Sequence, residues 1–147
     1  MGFLDSLFGK GQKEMKEMQR ERPKGDVSSI KTTFQFTPLR LTAMKINSIT
    51  LTTKVKNEGE SKQLVSMDFV LPKNEIIGFD QTCLQKVREN KVGEIKPGET
   101  KEFSVQIYGS NQTKSCTCDI GVVTYSHYLD YNKVITSTKK KFQLRIS

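Results

Sequence analysis

Apolar and polar residues alternate with a period of two from Val27 to the C-terminus, and this pattern decides the fold class. Such a period places successive side chains on opposite faces of an extended strand, so each strand has one apolar face to bury. Turn residues interrupt the alternation at spacings of roughly 8–20 residues. The sequence therefore predicts an all-β domain of about seven strands, arranged as an antiparallel sandwich with Greek-key connections.

Four segments with clear alternation supply the predicted core. Pro38 lacks an amide donor, so it confines the first strand to a sheet edge or a strand end. The alternation is lost between Pro72 and Asn90, where we expect a long crossing loop with a short strand or a helical turn. Proline and glycine at the central positions of Lys96-Pro97-Gly98-Glu99 predict a tight turn. The predicted inward residues are Ile30, Phe34 and Phe36; Ile49, Leu51 and Val55; Val65, Met67, Phe69 and Leu71; and Phe103, Val105 and Ile107.

Length, charge and cysteine content limit the range of functions. The 147 residues suffice for one domain plus an appendage. A net charge of +8 favours anionic partners, which include lipid headgroups, nucleic acid and acidic protein surfaces. Three cysteines, without the spacing of a disulfide framework, favour a reducing compartment. Since we find neither a spanning apolar stretch nor a secretory signal, we expect a cytoplasmic protein.

The first 26 residues differ in pattern from the rest and form a separate predicted unit. Their large apolar residues share one arc of a helix, with basic and acidic residues interleaved around it. Pro23-Lys24-Gly25-Asp26 then ends any helix. The predicted units are residues 1–26, an amphipathic helix with its linker, and residues 27–147, the sandwich. The residues of the arc and its flank are Phe3, Leu4, Leu7, Phe8, Lys10, Met15 and Met18.

Three interpretations of this helix stay open. An apolar arc flanked by lysines is typical of a helix that lies in the plane of a membrane surface and binds anionic lipid. The same arc favours self-association of two chains, which would give a homo-oligomer. In the third interpretation the arc packs on its own sandwich or has no partner.

No set of residues amounts to an active site, and we predict that the chain is not an enzyme. Cys116 and Cys118 lie two residues apart on one strand face, whereas His127 falls on the opposite face. A zinc site needs further ligands, so buried structural cysteines are the favoured interpretation. Phosphate-binding glycine loops and nucleophile elbows are absent from the sequence. We therefore predict no metal and no cofactor.

The richest cluster of polar and aromatic residues lies where the last two predicted strands join, near one end of the sandwich. Its members are Tyr125, His127, Tyr128, Asp130 and Tyr131. In one interpretation the tyrosines cover a sheet edge and satisfy their hydroxyls locally. In the other they form a recognition surface, because tyrosine offers a large rigid contact area with a polar tip.

Two turn motifs carry a resemblance to a known family. Val55, Asn57 and Gly59 form a "V-x-N-x-G" strand end before a polar turn, and Ile95-Lys96-Pro97-Gly98-Glu99 introduces a strand rich in Phe and Val. From roughly Phe36 to the C-terminus, the chain resembles the CARDB group of immunoglobulin-like modules in archaeal and bacterial proteins. The resemblance implies an immunoglobulin-like sandwich in a prokaryotic, archaeal protein. Turn motifs specify a fold and carry no activity.

The opening "MGFLDSLFGK" separately resembles the short membrane-targeting helix of some prokaryotic division and scaffold proteins. Together these features predict a non-enzymatic interaction or adaptor module of the cytoplasm, held at the inner face of the membrane and binding a protein partner. The alternative is a basic accessory protein that binds nucleic acid or a ribonucleoprotein. Such binding favours aromatic residues among the basic ones, and only Phe142 lies near the run Lys139–Lys141.

Overall fold

The computed structural model describes residues 29–147, so the predicted helix within residues 1–26 lies outside the described residues. Seven of the strands in residues 29–147 have eight residues or more, as the alternation predicts, and two have only two residues. The strands are β1 (Ile30–Thr37), β2 (Arg40–Leu41), β3 (Asn47–Asn57), β4 (Gln63–Val70), β5 (Ile77–Gly78), β6 (Val87–Ile95), β7 (Thr100–Gly109), β8 (Cys116–His127) and β9 (Val134–Ile146).

The strands form two sheets with a shared core. One sheet has the order β1-β3-β7-β5 and the other the order β2-β9-β8-β4-β6. Pairings between the long strands are antiparallel, whereas β2 pairs in parallel with β9 through Arg40 and Leu41. The predicted antiparallel arrangement therefore holds for the long strands, and the exception is a strand of two residues, which is too short to show a period. In the described chain only β8 and β9 form a hairpin within one sheet.

The core between the sheets contains the predicted inward residues. Phe69 is fully buried and stands edge-on to Phe34 and Phe103, with ring centroids 6.5 and 6.0 Å apart. Phe103 faces the core as predicted but is only half-buried. The reason is that β5 pairs with β7 only at Tyr108 and Gly109, which leaves β7 at the sheet edge beside Phe103.

β6 begins at Val87, inside the segment for which we predicted a crossing loop. This part of the prediction was wrong because β6 is an edge strand that pairs with β4 alone. Val87, Arg88 and Glu89 are all exposed, so neither face imposes an alternation on the sequence. The short strand expected in the same segment is β5.

The strand directions define two ends of the sandwich. We call one the Ser29 end, because the described chain begins there and the Ser29 carbonyl accepts a hydrogen bond from the Glu58 amide at 2.8 Å. This end also holds loops 58–62, 96–99 and 128–133. The opposite end, which we call the Ser147 end, holds loops 38–46, 71–86 and 110–115.

Both turn motifs meet at the Ser29 end, where Asn57 joins them. The turn at 96–99 forms as predicted, with the Glu99 amide donating to the Lys96 carbonyl at 2.9 Å and Gly98 at φ 80°. Asn57 Nδ2 donates to the carbonyls of Ser61 and Ile95 at 2.8 and 2.9 Å. Its Oδ1 accepts the Gly59 amide at 2.9 Å. The asparagine of the motif therefore fastens the β3–β4 turn to the end of β6, across the two sheets.

Candidate functional site

The predicted polar-aromatic cluster lies on the outer face of the larger sheet, at the Ser29 end. Even-numbered residues of β8 from Cys118 to Ser126 are buried toward the core, so Tyr125 and His127 face outward. Loop 128–133 nevertheless covers His127, which is only 7% exposed. The Tyr131 ring stands edge-on to the imidazole, with ring centroids 5.1 Å apart. The Tyr125 ring, two residues earlier on β8, has its centroid 6.1 Å from that of the imidazole.

Residues of β4 and β6 complete the cluster, and the sequence analysis missed them. Ser66 Oγ lies 2.7 Å from His127 Nε2, and Lys91 Nζ lies 5.2 Å from the centre of the Tyr131 ring. Ser66 and Asp68 alternate with apolar core residues, which is a signal that they face outward. That signal does not name the neighbouring strand, so it could not place them beside His127.

A β-bulge in β6 shapes the surface against which Tyr131 packs. Val65 pairs with Gly93 and Ser66 with Lys91, so Val92 is the extra residue of the bulge. Gly93 has φ 101°, a conformation that favours glycine. The Tyr131 hydroxyl forms a hydrogen bond with the Gly93 backbone. The bulge thus fixes the far side of loop 128–133 to the sheet edge.

The two packed tyrosines have their hydroxyls satisfied inside the cluster. Tyr125 donates to the Asp68 carboxylate, and burial followed by the Asp68 charge raises the pKa of the phenol. Burial and then Glu89 raise the pKa of Asp68, and the Tyr125 hydrogen bond partly offsets this. Tyr128 and Asp130 lie apart from this packing, exposed on the loop. The structure therefore brings together three of the five predicted residues.

The Ser66–His127 pair has the spacing of a nucleophile and its base, yet its surroundings differ from those of an active serine. Both residues are buried, which leaves Ser66 Oγ without open access for a substrate. Within residues 29–147, His127 Nδ1 has no hydrogen-bond partner to orient the ring. In this arrangement the pair serves as a buried hydrogen bond between β4 and β8.

Acidification is expected to destabilise the sandwich through His127. Burial lowers the pKa of His127 below its ordinary 6.5, while the charges of Asp130 and then Glu89 partly offset this. Because the folded state binds this proton less readily than the unfolded state, the stabilisation is present above pH 6.5 and is lost as the pH falls through the folded pKa.

His127 is the only histidine in the chain, so His127→Gln isolates its contribution. The urea midpoint of the wild type should fall between about pH 7.5 and about pH 5.5, and the variant, which lacks the imidazole, should show a flatter profile. Equal slopes for the two proteins would contradict the assignment.

The three cysteines are free thiols at buried or half-buried positions. Cys118 is buried toward the core, and burial raises the pKa of its thiol to about 12. Cys116 is half-buried on the same strand face, and all three thiols of the chain are free. Among residues 29–147 no three His, Cys, Asp or Glu side chains are grouped to hold a metal ion. Within the same range no helix is long and apolar enough to cross a bilayer.

A second candidate surface lies at the Ser147 end, where the sequence analysis placed nothing. Leu39, Met44, Ile46 and Leu84 are each 66–79% exposed there. The Asn47 side chain holds the loop that carries Met44, accepting from the Thr42 amide and donating to the carbonyls of Thr42 and Lys45. Met44 has φ 58°, and its amide donates to the Thr113 carbonyl at 2.8 Å. These loops present apolar side chains on a hydrogen-bonded frame, as preformed binding surfaces do.

The basic run of β9 lies at the open side of the sandwich, opposite β1. Lys140 pairs with the buried Val122 and points inward, where its Nζ donates to Thr32 Oγ1 at 3.2 Å. Phe142 stacks on Phe34 with ring centroids 4.5 Å apart. Because β2 covers β9 only at Arg145 and Ile146, the rest of β9 has an open edge, where an inward lysine opposes pairing with another chain. The one aromatic residue near the run is therefore already stacked and is not presented to a nucleic-acid base.

Comparisons with known proteins concern the fold. Neither a family model nor a curated protein matches the sequence. Native alpha-2-macroglobulin from Escherichia coli, spanning domain MG7 to the C-terminus, is similar over 81% of this chain with a TM-score of 0.55 and 10% identity. The fold is an immunoglobulin-like β-sandwich. This chain spans only 17% of the length of that neighbour.

Two further structures support the same fold. The native conformation of Escherichia coli alpha-2-macroglobulin gives a TM-score of 0.52 at 9% identity, over 79% of this chain and 6% of that one. The complex of zinc 2-glycoprotein with prolactin inducible protein from human seminal plasma gives 0.50 at 12% identity, over 80% and 93%. At these identities the similarity extends to the immunoglobulin-like fold and no further.

Proposed function

We propose that the chain is a non-enzymatic adaptor of the cytoplasm, whose immunoglobulin-like sandwich binds a protein partner while residues 1–26 hold it at the inner face of the membrane. The observation that carries the proposal is the set of exposed apolar side chains on the Ser147-end loops, Leu39, Met44, Ile46 and Leu84. Such loops on a rigid scaffold suit recognition, since little conformational freedom is lost on binding.

The position of Ser29, where the described residues begin, supports the membrane part of the proposal. Residues 1–26 join the sandwich at Ser29, which lies at the end opposite those loops. An anchor at the Ser29 end leaves the Ser147-end loops pointing away from the bilayer and open to a partner. The apolar arc of Phe3, Leu4, Leu7 and Phe8 provides the membrane contact in this proposal.

We also propose that the sandwich is a module of the CARDB type from an archaeal protein. Support comes from the Asn57 hydrogen bonds and from the turn at 96–99, which give the quoted motif residues a structural role in this chain. Nucleic-acid binding is the weaker alternative, because its support is the net charge of +8 alone while Phe142 is occupied by Phe34.

Co-sedimentation with vesicles tests the proposed anchoring. We expect the full chain to pellet with vesicles made from equal parts of phosphatidylcholine and phosphatidylglycerol, and residues 27–147 to stay in the supernatant. Residues 27–147 should melt at the same temperature as the full chain, because in this proposal residues 1–26 contact lipid and not the sandwich. Binding to vesicles of phosphatidylcholine alone, which lack anionic lipid, measures how much the basic residues contribute to binding. Equal pelleting of both proteins would contradict the proposal.

A further inference from the structure

The side of the sandwich formed by β1 and β9 has two open strand edges. Among residues 29–147, β1 pairs with β3 alone, and β9 pairs with β8 along its length but with β2 only at Arg145 and Ile146. A groove of about 480 Å³ lies between the two strands, lined by residues 32–34 and 140–143. The stacked rings of Phe34 and Phe142 form its apolar part. We call it the β1–β9 groove.

Backbone hydrogen-bonding groups of β9 point to the open side of this groove. The Ser147 amide and carbonyl both bond to residues 41–43, at 3.0 and 3.1 Å, so they face away from β8. Backbone groups alternate in direction along a strand, and those of Lys139, Lys141 and Gln143 therefore face the same way. Within residues 29–147 no strand pairs with them there. This edge has the donors and acceptors that a further strand needs.

The charges around the groove favour an acidic partner. On neighbouring strands, Asp119 lies opposite Gln143, and Glu102 is 3.9 Å from Lys54, so these two carboxylates leave a positive surplus. The two strands that line the groove contain five basic side chains and no acidic one. The basic residues are Lys31, Lys139, Lys140, Lys141 and Arg145.

Lys140 makes this edge selective. Its side chain points inward, and its Nζ donates to Thr32 Oγ1 at 3.2 Å. An apolar strand laid against β9 would remove water from the ammonium group without supplying a counter-charge, whereas a carboxylate at the same level would pair with it. A second copy of β9 would bring the run 139–141 against the same run with like charge. The edge therefore disfavours apolar strands and its own copy.

We propose that the open edge of β9 binds an acidic segment of another protein, which adds to the larger sheet as an extended strand beside residues 139–143. Its carboxylates meet the lysines, and its backbone pairs with the amides and carbonyls of Lys139, Lys141 and Gln143. A phosphodiester backbone has no donors for those carbonyls, so a polypeptide fits this edge better than nucleic acid does. The proposal concerns a surface separate from the Ser147-end loops and does not depend on membrane anchoring.

A fluorescein-labelled peptide of alternating glutamate and valine tests this proposal with the full chain, by fluorescence anisotropy. Lys139→Glu with Lys141→Glu reverses two charges beside the edge and should weaken binding about tenfold. Lys73→Glu with Lys114→Glu makes the same charge change at exposed positions in the Ser147-end loops and should bind within about twofold of the wild type. Equal losses in the two double variants would overturn the location on β9.

Two further comparisons separate strand pairing from charge attraction. The peptide of alternating glutamate and proline has the same charge but lacks every second amide, so it should bind about tenfold more weakly. Lys141→Gln removes a charge and should weaken binding of the glutamate–valine peptide about threefold. Lys141→Pro also removes the amide at the open edge and should weaken it about fivefold more. Proline is tolerated where an edge amide faces solvent, so both variants should melt at similar temperatures.

Equal affinity for the valine and proline peptides, or equal affinity of Lys141→Gln and Lys141→Pro, would overturn strand addition. Binding of oligothymidylate instead of the glutamate–valine peptide, with the same dependence on Lys139 and Lys141, would assign the surface to nucleic acid and overturn the proposal.

Discussion

Replacing Asn57 with alanine is expected to lower the free energy of unfolding by about 3 kcal/mol. The side chain is fully buried and satisfies two carbonyl oxygens and one amide, on Ser61, Ile95 and Gly59. Alanine leaves these backbone groups without their partner, and each buried unsatisfied group costs about 1–3 kcal/mol. Urea denaturation of the two proteins measures the difference.

Asn57→Asp sharpens this test because it keeps the acceptor for the Gly59 amide and removes the two donors. A carboxylate would then face the carbonyl oxygens of Ser61 and Ile95, so we expect a loss at least as large as that of Asn57→Ala. Asn111→Ala provides the control, since Asn111 is exposed in loop 110–115. A loss below about 1 kcal/mol for both Asn57 variants would show that the turns do not depend on this residue.

Much of the fold follows from the period-two pattern and from turn chemistry. The alternation in "QLVSMDFV" predicted the buried face of β4, where Val65, Met67 and Phe69 are fully buried. Proline and glycine at the middle of 96–99 predicted the turn that forms there. Both signals are local, because a strand face and a tight turn depend on residues that are close in sequence.

Features that depend on sheet neighbours could not be predicted in this way. β6 shows no alternation because it is an exposed edge, and Phe103 is half-buried because β5 pairs with only two residues of β7. The candidate site could be predicted from the sequence only in part, for the same reason. The sequence indicated that Tyr125 and His127 share a face, whereas the contact of His127 with Ser66 depends on the register between β4 and β8.

The Ser147-end loops show a third limit. Residue type alone would assign four apolar side chains to the core, whereas the structure shows them exposed. They are Leu39, Met44, Ile46 and Leu84. The Asn47 side chain holds loop 38–46 through hydrogen bonds with the backbone of Thr42 and Lys45. An apolar residue in a loop has no periodic neighbours, so the sequence pattern cannot assign it to the core or to the surface.

Vesicle binding by the double variant Leu4→Asp, Leu7→Asp tests the central claim most directly. Each large apolar side chain contributes about 1.5–3 kcal/mol when buried, so two charges at the middle of the predicted arc should abolish binding to vesicles of phosphatidylcholine and phosphatidylglycerol. Ser6→Asp with Gln12→Asp adds the same charge away from the arc and should retain most of the binding.

The melting temperature of the Leu4→Asp, Leu7→Asp variant should equal that of the wild type, because in this account the apolar arc contacts lipid and not the sandwich. Loss of vesicle binding with an unchanged melting temperature is therefore the result that the account predicts. Retained vesicle binding, or a melting temperature lower by several degrees, would contradict it, since the arc would then belong to a subunit interface or to the core of the sandwich.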